Sequence, residues 1–395
     1  MRTWLCLVLI WLPAAASDSD QKIATYSKAV AGRPRESHLQ NQLALAYLHK
    51  MRETVDFSYL DKASALVEGV LAGDPGNYEA LRLRAEVQME RHEFVQVAEY
   101  AEELTRFAPD DPANWGTLGD ASMELGRYQV AGAAYTKMLS LRPDLASYNR
   151  MAWFQFVHGR VPEAIENLRN AIAAGSSKPA NLAWCWNDLG NIYLKTGHIA
   201  EAEISFAAAL SAFPGYYPAY AGLGRARAAQ GRWRDAIEAF QHAQATVPMP
   251  EFAAALEDVY RAAGNLTQSR KERDLLDAID KMNRATGERT NRTLALLFAD
   301  HDRNLERAAS LVENEVQVRP DVYTYDALAW VRYQQKRYPE AEAAAAQALA
   351  LETPEPAFWY HAGLIAKALG KAEESARLLG RAKACNTALN LCLLH

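Results

Sequence analysis

Apolar residues along this chain recur at spacings of three and four for most of its length, and a Gly, a Pro or a short polar cluster interrupts the pattern at regular intervals. That spacing places the apolar side chains on one face of an α-helix, and the interruptions cut the chain into many short helices. The clearest stretch is Ala183 to Tyr216. Trp186, Leu189-Gly190 and Tyr193 share a face of a first helix, which Gly197 ends; Ala202, Phe206 and Ala209 share a face of a second, which Pro214 stops. Each residue type has a mechanical reason. Gly190 lacks the Cβ that would hold a neighbouring backbone away, Gly197 admits the left-handed conformation that closes a helix, and a Pro cannot continue one.

The unit repeats. Upstream, Trp115, Leu118-Gly119, Gly126, Ala131, Tyr135 and Pro143 reproduce it; downstream, Tyr220, Leu223-Gly224, Gly231, Ala236, Phe240 and Pro248 do. Pro109 to Pro143 and Pro214 to Pro248 are both 34-residue steps. Weaker copies fill the rest. Residues 37–77 hold a first unit with a longer loop, Arg52 to Ser58, and residues 78–111 carry Leu81, Ala85 and Pro109. Residues 145–182 keep Met151, Gly159, Ala164 and Leu168, then insert Gly175-Ser176-Ser177-Lys178-Pro179. Residues 250–284 keep Leu256, Tyr260 and Gly264, but their polar second half, Ser269 to Arg284, predicts an elongated helix. The pattern recovers with Ala308 and Pro320, with Tyr325, Leu328, Ala341 and Ala345, and with Trp359, Gly363 and Gly370. The expectation is an all-α fold of about ten antiparallel helix pairs, each burying its apolar face against its neighbours.

The arrangement W-x2-L-G-x2-Y, A-x3-F, P in the Ala183–Tyr216 unit resembles the tetratricopeptide-repeat superfamily, and the weaker copies extend that resemblance over nearly all the chain. It implies a right-handed superhelical solenoid in which the first helix of each pair lines a concave groove that holds an extended peptide or a partner helix. The expected plan is a signal peptide over 1–16, an N-terminal segment over 17–36 and an N-terminal array over 37–249. A degenerate repeat and possible hinge follow over 250–288, then a C-terminal array and capping tail over 289–395.

The N-terminus changes the picture by adding a compartment. Met1-Arg2-Thr3 precedes an apolar run, Trp4 to Leu12, then Pro13, Ala14-Ala15-Ala16 and Ser17. A positive start, a short apolar core and an Ala-x-Ala site make a secretory signal cleaved before Ser17, so the expected location is periplasmic or secreted. Membrane contact follows only if the segment is retained, since the run is shorter than a bilayer-spanning helix. Three cysteines would remain, Cys185, Cys385 and Cys392, which is no disulfide framework. On a continuous helix Cys385 and Cys392 lie roughly 10 Å apart, so pairing them requires the chain to turn.

Charge and composition exclude more than they indicate. The formal charge is −5 over 395 residues, interleaved along helix faces, and no basic footprint for nucleic acid is present. The repeats leave no room for a separate catalytic domain. The nine histidines are scattered, without a His-Glu-x-x-His arrangement. Asp300-His301-Asp302 with Glu306 fits a polar helix end better than a cation site, and Gly222-x-Gly224 falls on a first helix with no strand before it, so packing explains it. Asn265-Leu266-Thr267 and Asn291-Arg292-Thr293 match the glycosylation sequon. No catalytic residues, metal site or small-molecule cofactor are expected.

What remains is the groove. The repeat frame points Asn149, Trp153 and Phe156, then Trp184, Asn187, Asn191 and Lys195, and then Arg225 toward its inner face. Asn carboxamides pair with both groups of a peptide backbone, aromatic rings supply apolar contact, and Arg225 suits a carboxylate. Asn187 and Asn191 are the sharpest of these, one turn apart on one face. A second surface, Tyr323, Trp330, Tyr333 and Tyr360, occupies the corresponding positions near the C-terminus, where it serves either a ligand or the repeat interfaces. The expected function is that of a non-catalytic exported scaffold for a protein or peptide partner. The alternatives are a membrane-anchored envelope-assembly or secretion accessory factor, and a hydrolase or carbohydrate-active enzyme with its site in the groove.

Overall fold

A computed structural model describes residues 18–285 and 290–386. The expected leader, its cleavage site and Cys392, and with it any Cys385–Cys392 bridge, lie outside the described residues. The chain divides into two compact units, Met1–Arg91 and His92–His395, and every described element is a helix, a turn or a loop.

The first unit holds α1 (Asp18–Gly32), α2 (Ser37–Thr54), α3 (Ser58–Gly73) and α4 (Tyr78–Glu90). Ala44 and Leu48 of α2 meet Leu60, Ala63 and Val67 of α3 and Leu83 and Val87 of α4 in one apolar core. Asn77 starts α4 by accepting from the Ala80 N–H at 3.1 Å, which satisfies a donor that the first turn of a helix leaves free.

The second unit holds α5 (Phe94–Phe107), α6 (Pro112–Glu124), α7 (Tyr128–Leu141), α8 (Leu145–Val157), α9 (Val161–Ala174), α10 (Pro179–Lys195), α11 (Ile199–Ala212), α12 (Tyr217–Ala229) and α13 (Trp233–Thr246). It continues with α14 (Pro250–Ala262), α15 (Leu266–Ala285), α16 (Arg292–Asp300), α17 (Leu305–Val318), α18 (Val322–Gln334), α19 (Tyr338–Ala348), α20 (Pro356–Ala368) and α21 (Ala372–Cys385). Even-numbered helices are the first of each pair. Asp111, Asp144, Asn291 and Asp321 cap four of them with side-chain oxygens, and the Asp144–Ser147 exchange is a complete capping box. Among the described residues nine consecutive helix pairs pack, α2/α3 in the first unit and α6/α7 through α20/α21 in the second, close to the expected ten.

Pairs interlock through a ring set against a helix with no side chain. An added Cβ would stand 2.6 Å from the Phe206 ring at Gly190 and 2.3 Å from it at Gly222. Phe206 of α11 is thus held between two bare helix surfaces, and Gly222-x-Gly224 is a packing device, because Gly224 serves Phe240 in the same way at 2.8 Å.

The second unit also curls back on itself. The turns after α6, α8 and α10 meet the loops before α18 and α20 and the residue after α21. Tyr128 Oη accepts from the Val322 N–H at 3.0 Å, Thr353 Oγ1 donates to the Val157 carbonyl at 2.6 Å, and Asn386 Nδ2 donates to the Leu194 carbonyl at 2.6 Å. These partners are 192 to 196 residues apart, between five and six repeats of about 34 residues. Met123, Tyr135, Met151 and Val157 join Val322, Ala348 and Phe358 in an apolar seam beneath them, and Arg319 pairs with Glu124 at 2.9 Å. These contacts join the repeats from α6 to α10 to those from α18 to α21.

Candidate protein-binding groove

The expected groove residues sit on the first helices α8, α10 and α12, and a buried polar cluster lies between α8 and α10. Asn149, only 2% exposed, donates through Nδ2 to Asp188 Oδ2 at 2.9 Å and lies 3.6 Å from the Cys185 sulfur. Burial pushes the Asp188 carboxyl up to about 7, against the hydrogen bonds from Asn149 and Asn187 that favour its ionised form. Burial likewise pushes the Cys185 thiol up to about 12, with Asp188 adding to it. That thiol is held in its neutral form. Asn187 is itself 6% exposed, and its Oδ1 has no hydrogen-bond partner among the described residues.

The other expected groove residues part company. Trp184 and Asn191 are half-buried on α10, one to each side of Asn187 in sequence. Trp153 is 40% exposed and stacks on both Phe156 and Tyr323, each with ring centroids 5.8 Å apart. Phe156 is a correction. It is fully buried among Ala152, Ala164, Leu168 and Leu189 and offers no surface to a partner. Lys195 pairs with Glu355 of the loop before α20, its ammonium 5.6 Å above the Tyr323 ring, so the cation serves the closure. Arg225 makes no ion pair or hydrogen bond among the described residues. Burial holds its guanidinium below the ordinary range, opposed by the more distant carboxylates of Glu251 and Glu355.

Of the second aromatic set, Tyr323 alone reaches the first, through Trp153; its buried hydroxyl also has no hydrogen-bond partner among the described residues. Trp330 stacks on Tyr333 at 4.9 Å and on His361 at 4.1 Å and donates to Asp300 at 2.8 Å, which seals the interface of three pairs. Tyr360 packs at the edge of the α19–α21 core. His301 has both ring nitrogens engaged, by the Leu297 carbonyl and by Asp258, as a helix end would. No group of three potential metal ligands occurs among the described residues, and none of their helices is long and apolar enough to cross a membrane.

Reading the sequence missed Asp188, Glu251 and Glu355. An acid next to Asn187 on a first helix was the one available signal. Nothing in the sequence brings Glu355 to Lys195, since the pair is 160 residues apart.

Two family models described as Tetratricopeptide repeat match the chain, one over residues 149–217, 187–249 and 327–388 and one over 112–145. No curated protein matches it. Among solved structures it is similar to a human IFIT1 dimer with m7Gppp-AAAA, at 14% identity and TM-score 0.51 over 94% of this chain and 90% of that one. It is also similar to PilW, a widely conserved type IV pilus biogenesis factor, at 20% identity and TM-score 0.46 over 51% of this chain and 93% of that one. A third is MamA, at 21% identity and TM-score 0.34 over 41% and 93%. At 14% identity the likeness to IFIT1 is one of fold. Repeat models at four positions, first helices opened by caps and prolines, and rings locked against bare glycines all describe one architecture: the chain is a tetratricopeptide-repeat protein.

Proposed function

We propose that this protein is a non-catalytic interaction scaffold whose groove in the second unit takes an extended segment of a protein partner across α8 and α10. The observation that carries the reading is the buried Asn187 Oδ1 that lacks a donor. A buried polar atom without a partner costs about 1–3 kcal/mol, and a backbone N–H of a bound strand supplies what is missing. Asn191, one turn on, adds a second carboxamide along the same line, and Trp153 adds an apolar face. Crosslinking in the native host followed by identification of the captured protein provides the partner. Asn187→Ala with Asn191→Ala is then expected to weaken binding to it at least tenfold, and unchanged binding would remove the groove assignment.

The leader-like N-terminus supports export, with the mature protein periplasmic or secreted. Mass spectrometry of the native N-terminus decides between a start near Ser17 and a retained segment that would make the protein a membrane-held envelope factor.

A further inference from the structure

A second cleft lies outside the groove, along the surface of α7. It has a volume of about 1240 Å³ and runs from the turn before α7 to Leu351, somewhat larger than the usual small-molecule pocket of roughly 300–1,000 Å³. Its lining contains Arg127, Lys137 and Arg160 and no carboxylate. None of the three cations has an ion-pair partner among the described residues, in a protein with a formal charge of −5 in which many other arginines, such as Arg52, Arg150, Arg273 and Arg292, are ion-paired. All three are exposed, and so is Val130 between them, at 41%. The floor is apolar: Phe154 lies so close over Gly132 that an added Cβ would stand 2.6 Å from its ring.

We infer that this cleft is a docking site for an acidic peptide segment carrying an apolar side chain. Three unneutralised cations around an apolar strip raise the local concentration of an anionic ligand and reject a cationic one. The small, exposed Ala133 leaves room for an apolar side chain near Val130. A nucleotide fits less well, because the Phe154 ring has no free face for a base. One side covers Gly132, His158 lies 4.1 Å away centroid to centroid, and the Arg160 guanidinium sits 5.5 Å over the ring. Its cations lie on α7 and on the turns before α7 and α9, whereas Asn187 and Asn191 of the groove lie on α10.

The test uses the full chain and a fluorescein-labelled dodecapeptide of Glu-Glu-Leu repeated four times. Fluorescence anisotropy is expected to show binding that weakens with added salt. The triple reversal Arg127→Glu, Lys137→Glu and Arg160→Glu is expected to weaken it at least tenfold. Reversal of three exposed cations elsewhere, Arg234→Glu, Lys336→Glu and Lys367→Glu, is expected to change it less than twofold, as is Asn187→Ala with Asn191→Ala. All substituted cations are exposed, and an unaltered thermal transition confirms that each variant is folded. The inference is overturned if the wild-type protein does not bind the peptide, if the cleft reversal leaves binding intact, or if the control reversal weakens it equally. Loss in the Asn variant, which would move the site to the groove, or preference for a single-stranded oligonucleotide of equal charge overturns it too.

Discussion

The repeats α10–α13 and the repeats α14–α17 solve one packing problem with opposite materials. In the first region Phe206 and Phe240 are 0% and 1% exposed and sit against Gly190, Gly222 and Gly224. In the second, carboxylates take the central places. Glu257, 0% exposed, accepts from Arg273 at 2.9 Å and from Arg303 at 3.0 Å, and Asp280, 4% exposed, accepts from Arg284 and from Arg307. The difference teaches why the repeat pattern fades here without the fold failing. Large-against-small apolar packing is periodic in sequence and adds net stability. A buried ion pair adds little over an apolar pair but is costly once half of it is removed.

The comparison can be broken at either region. Phe206→Ala deletes a ring enclosed on two sides by glycines that cannot fill the space, so a loss of about 3–5 kcal/mol in the unfolding of the second unit is expected, measured by urea denaturation. Arg303→Met leaves Glu257 buried with Arg273 as its remaining close partner at 2.9 Å, and about 2–3 kcal/mol is expected to go. A loss under about 0.5 kcal/mol would mean that the α14–α17 region rests on its apolar cluster around Leu276, Leu294 and Phe298, in the manner of its neighbour.

A third test concerns the groove. The Asp188 carboxyl holds its proton up to about 7 in the folded protein, whereas an unfolded chain releases it near 4. The folded state therefore binds the extra proton between those values. Its contribution to stability is complete below about pH 4 and is lost as pH rises through about 7. Asp188→Asn is expected to flatten this part of the stability–pH profile by roughly 1–2 kcal/mol, allowing for the partial exposure of the group. An unchanged slope would show that water reaches the carboxylate freely and that the polar cluster between α8 and α10 is not desolvated.

Local and periodic features were legible in the sequence. Gly190, Phe206 and Pro214 announced a repeat because each answers to neighbours within one or two helices, so nearly the whole architecture followed. The groove was legible only in part. Asn149 and Phe156 stand seven residues apart, two turns on one stripe of α8, and that stripe proves to face the core, with both residues 2% exposed or less. The closure was not legible at all. Thr353 meets Val157, and Lys195 meets Glu355, only because the repeats between them bring the second unit back on itself, and no residue near Val157 or Lys195 encodes that return.

The smallest effect probes the turns between the helices of a pair. The pairs α10/α11, α12/α13 and α14/α15 place Gly197, Gly231 and Gly264 at positive φ, as the motif requires, while α16/α17 of the ion-paired region places Asp302 at φ 48° and α18/α19, beyond it, places Lys336 at φ 61°. A Lys in the left-handed region costs about 1–2 kcal/mol, and substituting Gly returns about 0.5–1 kcal/mol of that through the greater freedom of the unfolded chain. Lys336→Gly is therefore expected to stabilise the protein by a few tenths up to about 1 kcal/mol. Asp tolerates this conformation better than Lys does, so Asp302→Gly is expected to change stability by no more than about 0.3 kcal/mol. Urea midpoints of the two variants measured side by side separate the cases. Equal gains would assign the strain to the turn itself, whereas a gain confined to Lys336→Gly would show that the ion-paired region chose a residue its turn accepts.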